Sequence, residues 1–553
     1  MSATPESEHV VSALVRLDPR DAAAVERAEE GIARLTGAPA TTVVPALLPC
    51  LVARSWPAPS IRADAHEGGC ARVARAAEIA LAAAIARVPP VELPTLEQLA
   101  RSSPFWLPQL YWRRWWSLDA DDAPGLLAYA TDPITPALLS IHRDGYVREL
   151  ALTALDPRDR ASLPWVVART LDWVAPVRAR AERMTAEQLR DDGGTTTTTL
   201  VELLPLFERL QRFGRVDQRA LVARVRARLA SDPELVHRHG TAHADRSVRA
   251  ACLELLEQTG HLTGRRLATH LDDRDLGVRL RAARALERAT SHAPDDPELG
   301  RLVARLLRDP VGRVRAIALM IAARSEDVDV VHGLLMRALD DSSTAMSGLA
   351  RALLASREPS FDIPGHVRRA VREAPTTGTV IALGEIGAPE DWELLVACLD
   401  RSARIASAAI RAMRRLDRQQ SRDTRLMMAD DPRPSVVRAA GASLAGEVLD
   451  DDERFIAAYA RSPHEHVRRR AVGLAIQLSG WAPAHLLLPI RDLALRSHID
   501  AQLRAWMARR FRHGASLAAV DAERLRAMVT ASDVISADTR RELLSSIAVM
   551  TRP

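Results

Sequence analysis

The chain has 553 residues, with 76 basic side chains that are all arginine against 71 acids, a net charge of +5, only 4% aromatics and four cysteines. A balance this near neutral over such a length argues against global electrostatic steering toward nucleic acid or an anionic membrane. Cys50, Cys70, Cys252 and Cys398 are far apart and form no Cys-x-x-Cys pair, so neither a zinc ribbon nor a disulfide framework is expected.

The first residues carry neither a basic segment nor an apolar core, which predicts no signal peptide and a cytoplasmic protein. Apolar periodicity over residues 10–17, 23–35 and 71–88 predicts helices, and residues 1–117 read as a divergent N-terminal helical region. The most apolar stretch, 76–88, is interrupted by Glu78 and Arg87 and is too short to span a bilayer, so no membrane insertion is expected. At the end of this region, Phe105, Trp106, Tyr111, Trp112, Trp115 and Trp116 place six of the chain's 20 aromatics within 12 residues. One reading is a packed joint with the first repeat; the other is an exposed anchor for a protein partner, because Trp, Tyr and Arg dominate binding hot spots.

From about residue 132 a phrase recurs: an acidic residue, a few small or polar residues, Val-Arg, then alanines and leucines. It reads Asp144-Gly-Tyr-Val147-Arg148, Asp245-Arg-Ser-Val248-Arg249 and Asp275-Leu-Gly-Val278-Arg279. With two further residues it reads Asp309 to Val314-Arg315; it returns from Asp431 to Val437-Arg438 and, with serine leading, from Ser462 to Val467-Arg468. Arg148 and Arg178, then Arg249, Arg279 and Arg315, then Arg438 and Arg468, are spaced by 30 or 36 residues. A fixed period in this range marks stacked helical repeats, each too small to bury its apolar face alone. Arginines so regularly placed are expected to pair with the aspartate of their own or the next turn and to stitch repeats together. The run from Asp191 through Thr199 reads as a low-complexity loop, and the unit around Asp340–Met346 lacks Val-Arg and reads as a degenerate repeat.

Two arginine concentrations stand outside that ladder. Residues 208–288 hold 17 arginines against 11 acids, with Arg224, Arg226 and Arg228 within about one turn. Farther on, Arg411, Arg414 and Arg418, continued by Arg415, Arg422 and Arg425, would form one stripe on a continuous helix that is expected to turn near Leu416. Solvated helical faces explain such runs; a groove for nucleic acid or an acidic partner is the alternative.

The turn Leu383-Gly-Glu-Ile-Gly387, together with the Asp…Val-Arg…Ala phrase, resembles the HEAT-like repeats first named from phycobilisome lyases. The resemblance implies an all-α, right-handed solenoid of stacked helix pairs, here over residues 118–530, with the N-terminal region and residues 531–553 as caps. It implies nothing about activity. His237, His239, His243 and Asp245 are too irregular to predict a metal site, and no phosphate loop or nucleophile elbow occurs, so no enzyme and no cofactor are expected. The expectation is therefore a non-catalytic scaffold for another protein. The alternative is a nucleic-acid-binding solenoid using Arg224, Arg226, Arg228, Arg411, Arg414 and Arg418.

Overall fold

The structure, a computed structural model, describes residues 21–52, 64–102, 118, 121, 123–128, 134–190, 196–212, 218–510 and 517–551. The described residues contain helices and no strand, as the composition predicts. The chain forms two compact units, Met1–Leu302 and Val303–Pro553.

Each clear repeat contributes a helix that starts just after the recurring phrase begins. In the first unit these are α1 (Gly145–Ala154), α2 (Ala175–Gln188), α3 (Arg246–Gln258) and α4 (Leu276–His292). In the second they are α5 (Gly312–Ala322), α6 (Thr344–Arg357), α7 (Thr377–Ile386), α8 (Ala403–Leu416), α9 (Pro434–Ser443), α10 (Glu465–Ala475) and α11 (Arg496–Arg510). Most are preceded by a partner helix packed against them, as Gly264–Leu271 is against α4 and Trp392–Ala397 against α8. Within a unit these helices also pack side by side: α1 on α2, α3 on α4, and α5 through α11 in unbroken succession.

One residue pattern explains both the helix starts and the stacking. Six residues before the arginine stands an acceptor side chain: His142, Asp172, His243, Asp273 or Asp309. Each bonds the backbone N–H two residues on, at 3.1, 2.9, 3.0, 2.7 and 2.7 Å in that order. Such a side chain shapes the turn that launches the helix. In three of these repeats the residue two on, Asp144, Asp245 or Asp275, then caps the helix with its own carboxylate. Five residues on stands a buried valine (Val147, Val177, Val248, Val278, Val314, Val436 or Val467).

The arginine after that valine is a clamp. Arg148 donates to both carboxylate oxygens of Asp172 in the next repeat (2.7 and 2.8 Å) and to the His142 and Arg143 carbonyls of its own turn. Arg249 does the same with Asp273, His243 and Ala244, and Arg315 with Asp341, Asp309 and Pro310. Arg468 bonds Asp492, Ser462 and Pro463. Arg178 and Arg279 donate to the Asp172 and Asp273 carbonyls. Arg148, Arg249, Arg315 and Arg468 are thus occupied in joining consecutive repeats, while Arg178 and Arg279 hold the turn that precedes their own helices.

Three details differ from the sequence reading. The Asp309 phrase has no insertion, because Asp309 matches Asp172 and Asp273 rather than the caps Asp144 and Asp275. Arg438 is not a rung: Val436 takes the buried-valine position, Val437 falls where the clamp would be, and Arg438 points to solvent. Of the threonine run, Thr197 to Thr199 begin the helix Thr197–Arg212 rather than a loop. In the degenerate unit the clamp position holds Ser347, whose buried hydroxyl has no partner among the described residues.

The described N-terminal helices share one core with the first repeats, in which Val25, Ile32, Leu47 and Leu81 join Val147 and Val177. No single described helix is long and apolar enough to cross a membrane. Cys50, Cys252 and Cys398 are buried free thiols.

Candidate anion-binding groove

Helix α8 buries Ala406, Ala409, Ile410 and Met413 and turns its other face outward. On that face Arg404, Ser407, Arg411 and Arg414/Arg415 recur every three or four residues, the spacing that aligns side chains on a helix. The neighbouring α9 presents Ser435, Arg438, Ala439 and Ala442 to the same space. The result is a groove of about 810 Å³ with a floor of serine and alanine and walls made of Arg404, Arg411, Arg414, Arg415, Arg418 and Arg438. Among the described residues no carboxylate lines it.

These six arginines are not equivalent. Glu447 takes Arg414 at 2.9 Å, Arg418 at 2.8 Å and the buried Arg425 at 2.6 Å. Burial alone would raise the Glu447 carboxyl pKa, but Arg425, Arg414 and Arg418 hold it below the usual carboxylate range. Glu385 takes Arg415 at 2.8 Å. Arg404, Arg411 and Arg438 are exposed and have no hydrogen bond or ion pair among the described residues. Desolvation and the neighbouring Arg415 lower the Arg411 pKa, so this guanidinium sits where positive charge is already in excess. Helix α8 ends at Leu416, the turn expected from sequence, so Arg418 reaches the groove from beyond the helix.

The other predicted arginines are placed differently. Arg224, Arg226 and Arg228 lie on the helix Arg219–Ala230. Arg226 pairs with Glu208 at 3.2 Å, Arg228 donates to the Leu189 and Arg190 carbonyls, and Arg224 is exposed. Neither of two clefts in the first unit is lined by any of the three. Both clefts carry mixed charge: the larger, about 1180 Å³, places Asp159, Glu202 and Asp275 beside Arg160, Arg246 and Arg274. The smaller, about 570 Å³, contains the buried Glu208, whose pKa is pushed up by burial and by Glu254 against the pull of Arg226.

The aromatic cluster Phe105, Trp106, Tyr111, Trp112, Trp115 and Trp116 lies outside the described residues. Of the histidines weighed as ligands, His243 uses its Nδ1 to accept the Asp245 N–H, and no group of three or more potential metal ligands occurs among the described residues.

Sequence reasoning missed Arg404 and Arg438 as groove residues. Arg404 lies seven residues before Arg411 on the same face, a signal that was present. Arg438 comes from the next repeat, and only helix packing brings it alongside. No protein-family model matches the chain, and no curated protein is similar to it.

Proposed function

We propose that this chain is a right-handed, HEAT-like helical-repeat protein that binds nucleic acid without chemistry, holding the phosphate backbone in the groove between α8 and α9. The carrying observation is the lining among the described residues: six arginines, three of them without a partner, and no acid. Collecting unpaired cations in one concavity opposes folding and favours an anion there. The floor of Ser407, Ser435, Ala439 and Ala442 offers no aromatic platform for unstacked bases and no apolar pocket for a peptide anchor. A wet, small-residue floor between guanidinium walls suits the outside of a duplex, where phosphates supply affinity and no base is read.

The scaffold reading rests on the repeat architecture and on the lack of catalytic motifs in the sequence, with the aromatic segment 105–116 as its candidate anchor, and the groove adds nothing to it. A titration of the full chain with labelled short duplexes at low salt tests the proposal. Saturable binding of unrelated sequences with equal affinity, abolished in Arg404→Ala/Arg411→Ala/Arg438→Ala, supports it. No binding, or binding untouched by the triple substitution, removes it.

A further inference from the structure

Beyond the groove lining, helices α9, α10 and α11 pack in succession and carry a second arrangement of cations. Arg470 on α10 is half-buried and has no hydrogen bond or ion pair among the described residues. Its side chain crosses α9 at Gly441: a Cβ there would come within 2.2 Å of Arg470 Cδ and 2.6 Å of its Nε. Gly441 is three residues from Arg438, so both lie on one face of α9 and the Arg470 guanidinium is delivered beside Arg438. Desolvation, then Arg438, lowers the Arg470 pKa. On α11, His498 is half-buried and hydrogen-bonds the Arg469 backbone, and its pKa is lowered by desolvation and by Arg469 and Arg470. The acids that pair with the neighbouring arginines of α10 are Glu465, exposed and held by Arg469, and Asp492, held by Arg468.

An arginine guided over a glycine toward another arginine, neither with a hydrogen bond or ion pair among the described residues, is an arrangement that destabilises the empty protein. We infer that Arg438 and Arg470 form a phosphate subsite at the α9–α10 junction, which extends the arginine groove by one backbone phosphate. This inference rests on the nucleic-acid reading for the source of the phosphate, while the subsite's chemistry is that of any phosphate-sized oxyanion. Arg470 would hold the anion, and Gly441 would act as a positioning residue.

The test uses the full chain and two variants, Arg470→Met and Gly441→Ala, with duplex affinity measured against salt and melting followed with and without inorganic phosphate. Arg470→Met is expected to lower duplex affinity about fivefold and to flatten the salt dependence by about 0.9 in log–log slope. It should also raise the melting temperature of the ligand-free protein by roughly 2 °C, an effect opposite to that of losing a structural contact. Gly441→Ala keeps every charge yet displaces Arg470, and should weaken duplex binding similarly. Unchanged affinity and slope with a lowered melting temperature in Arg470→Met would make Arg470 structural and overturn the subsite. If wild type ignores duplex but is stabilised by phosphate, and Arg470→Met abolishes that stabilisation, the subsite stands and the nucleic-acid reading fails. If wild type responds to neither, both fall.

Discussion

Replacing Arg148 with methionine keeps much of the side-chain volume and removes the guanidinium from the most buried clamp in the chain. Arg148 and Asp172 have side chains only 0% and 1% exposed. Substitution leaves Asp172 with the Val174 N–H and Arg169, and leaves the His142 and Arg143 carbonyls without the donor that held them. Burial tends to raise the Asp172 pKa, but Arg148, Arg169 and the Val174 N–H together lower it; losing Arg148 removes the strongest of these and leaves Arg169 and the Val174 N–H to oppose the burial. Breaking one side of a buried pair costs about 3–5 kcal/mol. Arg169 remains to compensate in part, so about 4 kcal/mol is a fair expectation, or roughly a thousandfold in an opening equilibrium. Two compact units make a single unfolding transition a poor measure. Hydrogen exchange of amides in α1 and α2 reads the effect locally. The exposures of the other pairs then set an order: Arg249–Asp273 at 4% and 6%, Arg315–Asp341 at 15% and 17%, Arg468–Asp492 at 24% and 19%. The same substitution should cost progressively less along that series. An Arg148→Met variant whose α1 and α2 amides exchange less than about tenfold faster would refute the clamp as the element that joins these repeats.

The same geometry sets three further expectations. Burial, then His237, depresses the His270 pKa to about 4, with Asp273 opposing and Arg249 reinforcing. Neutral His270 is the folded form, so its contribution is complete above about pH 6.5 and is lost as pH falls toward 4. The linked loss is roughly 3 kcal/mol. Urea midpoints measured across that range should fall in wild type and fall less in His270→Leu; equal pH dependence would contradict this. A Cβ at Gly384 would lie 2.5 Å from both Cα and Cβ of Ala412, so Gly384→Ala must push α7 from α8. It should cost about 1–3 kcal/mol, and a calorimetric melting temperature unchanged from wild type would show that the helices separate freely. Arg418→Ala removes a guanidinium already held by Glu447 and should change the salt dependence of duplex binding far less than Arg411→Ala does.

Much of the fold was legible because the Val-Arg pair marks a buried valine and the residue beside it. Aligning on that pair alone misplaced Arg438, since Val436 takes the position of the repeat's valine and Val437, also buried, takes that of the clamp. The better ruler is the acceptor at the turn, but His142 and His243 do with a ring nitrogen what Asp172 and Asp273 do with a carboxylate, which hides the equivalence from composition. The candidate site was half legible. Helical spacing singled out Arg411, Arg414 and Arg418, yet nothing local reveals that Glu447, about 30 residues on, neutralises the last two. Unpaired charge, the property that matters for an anion, is set by packing between repeats: Arg404 is legible from its spacing to Arg411, whereas Arg438 and Arg470 reach the site only through the packing of α8, α9 and α10.

The central claim is tested most directly by the slope of log affinity for duplex against log salt, between about 50 and 200 mM. Three unpaired groove arginines contribute about −2.7 to that slope, a contribution lost in Arg404→Ala/Arg411→Ala/Arg438→Ala. A wild-type slope near zero, or one that the triple substitution leaves unchanged, would contradict the groove as a phosphate-binding surface.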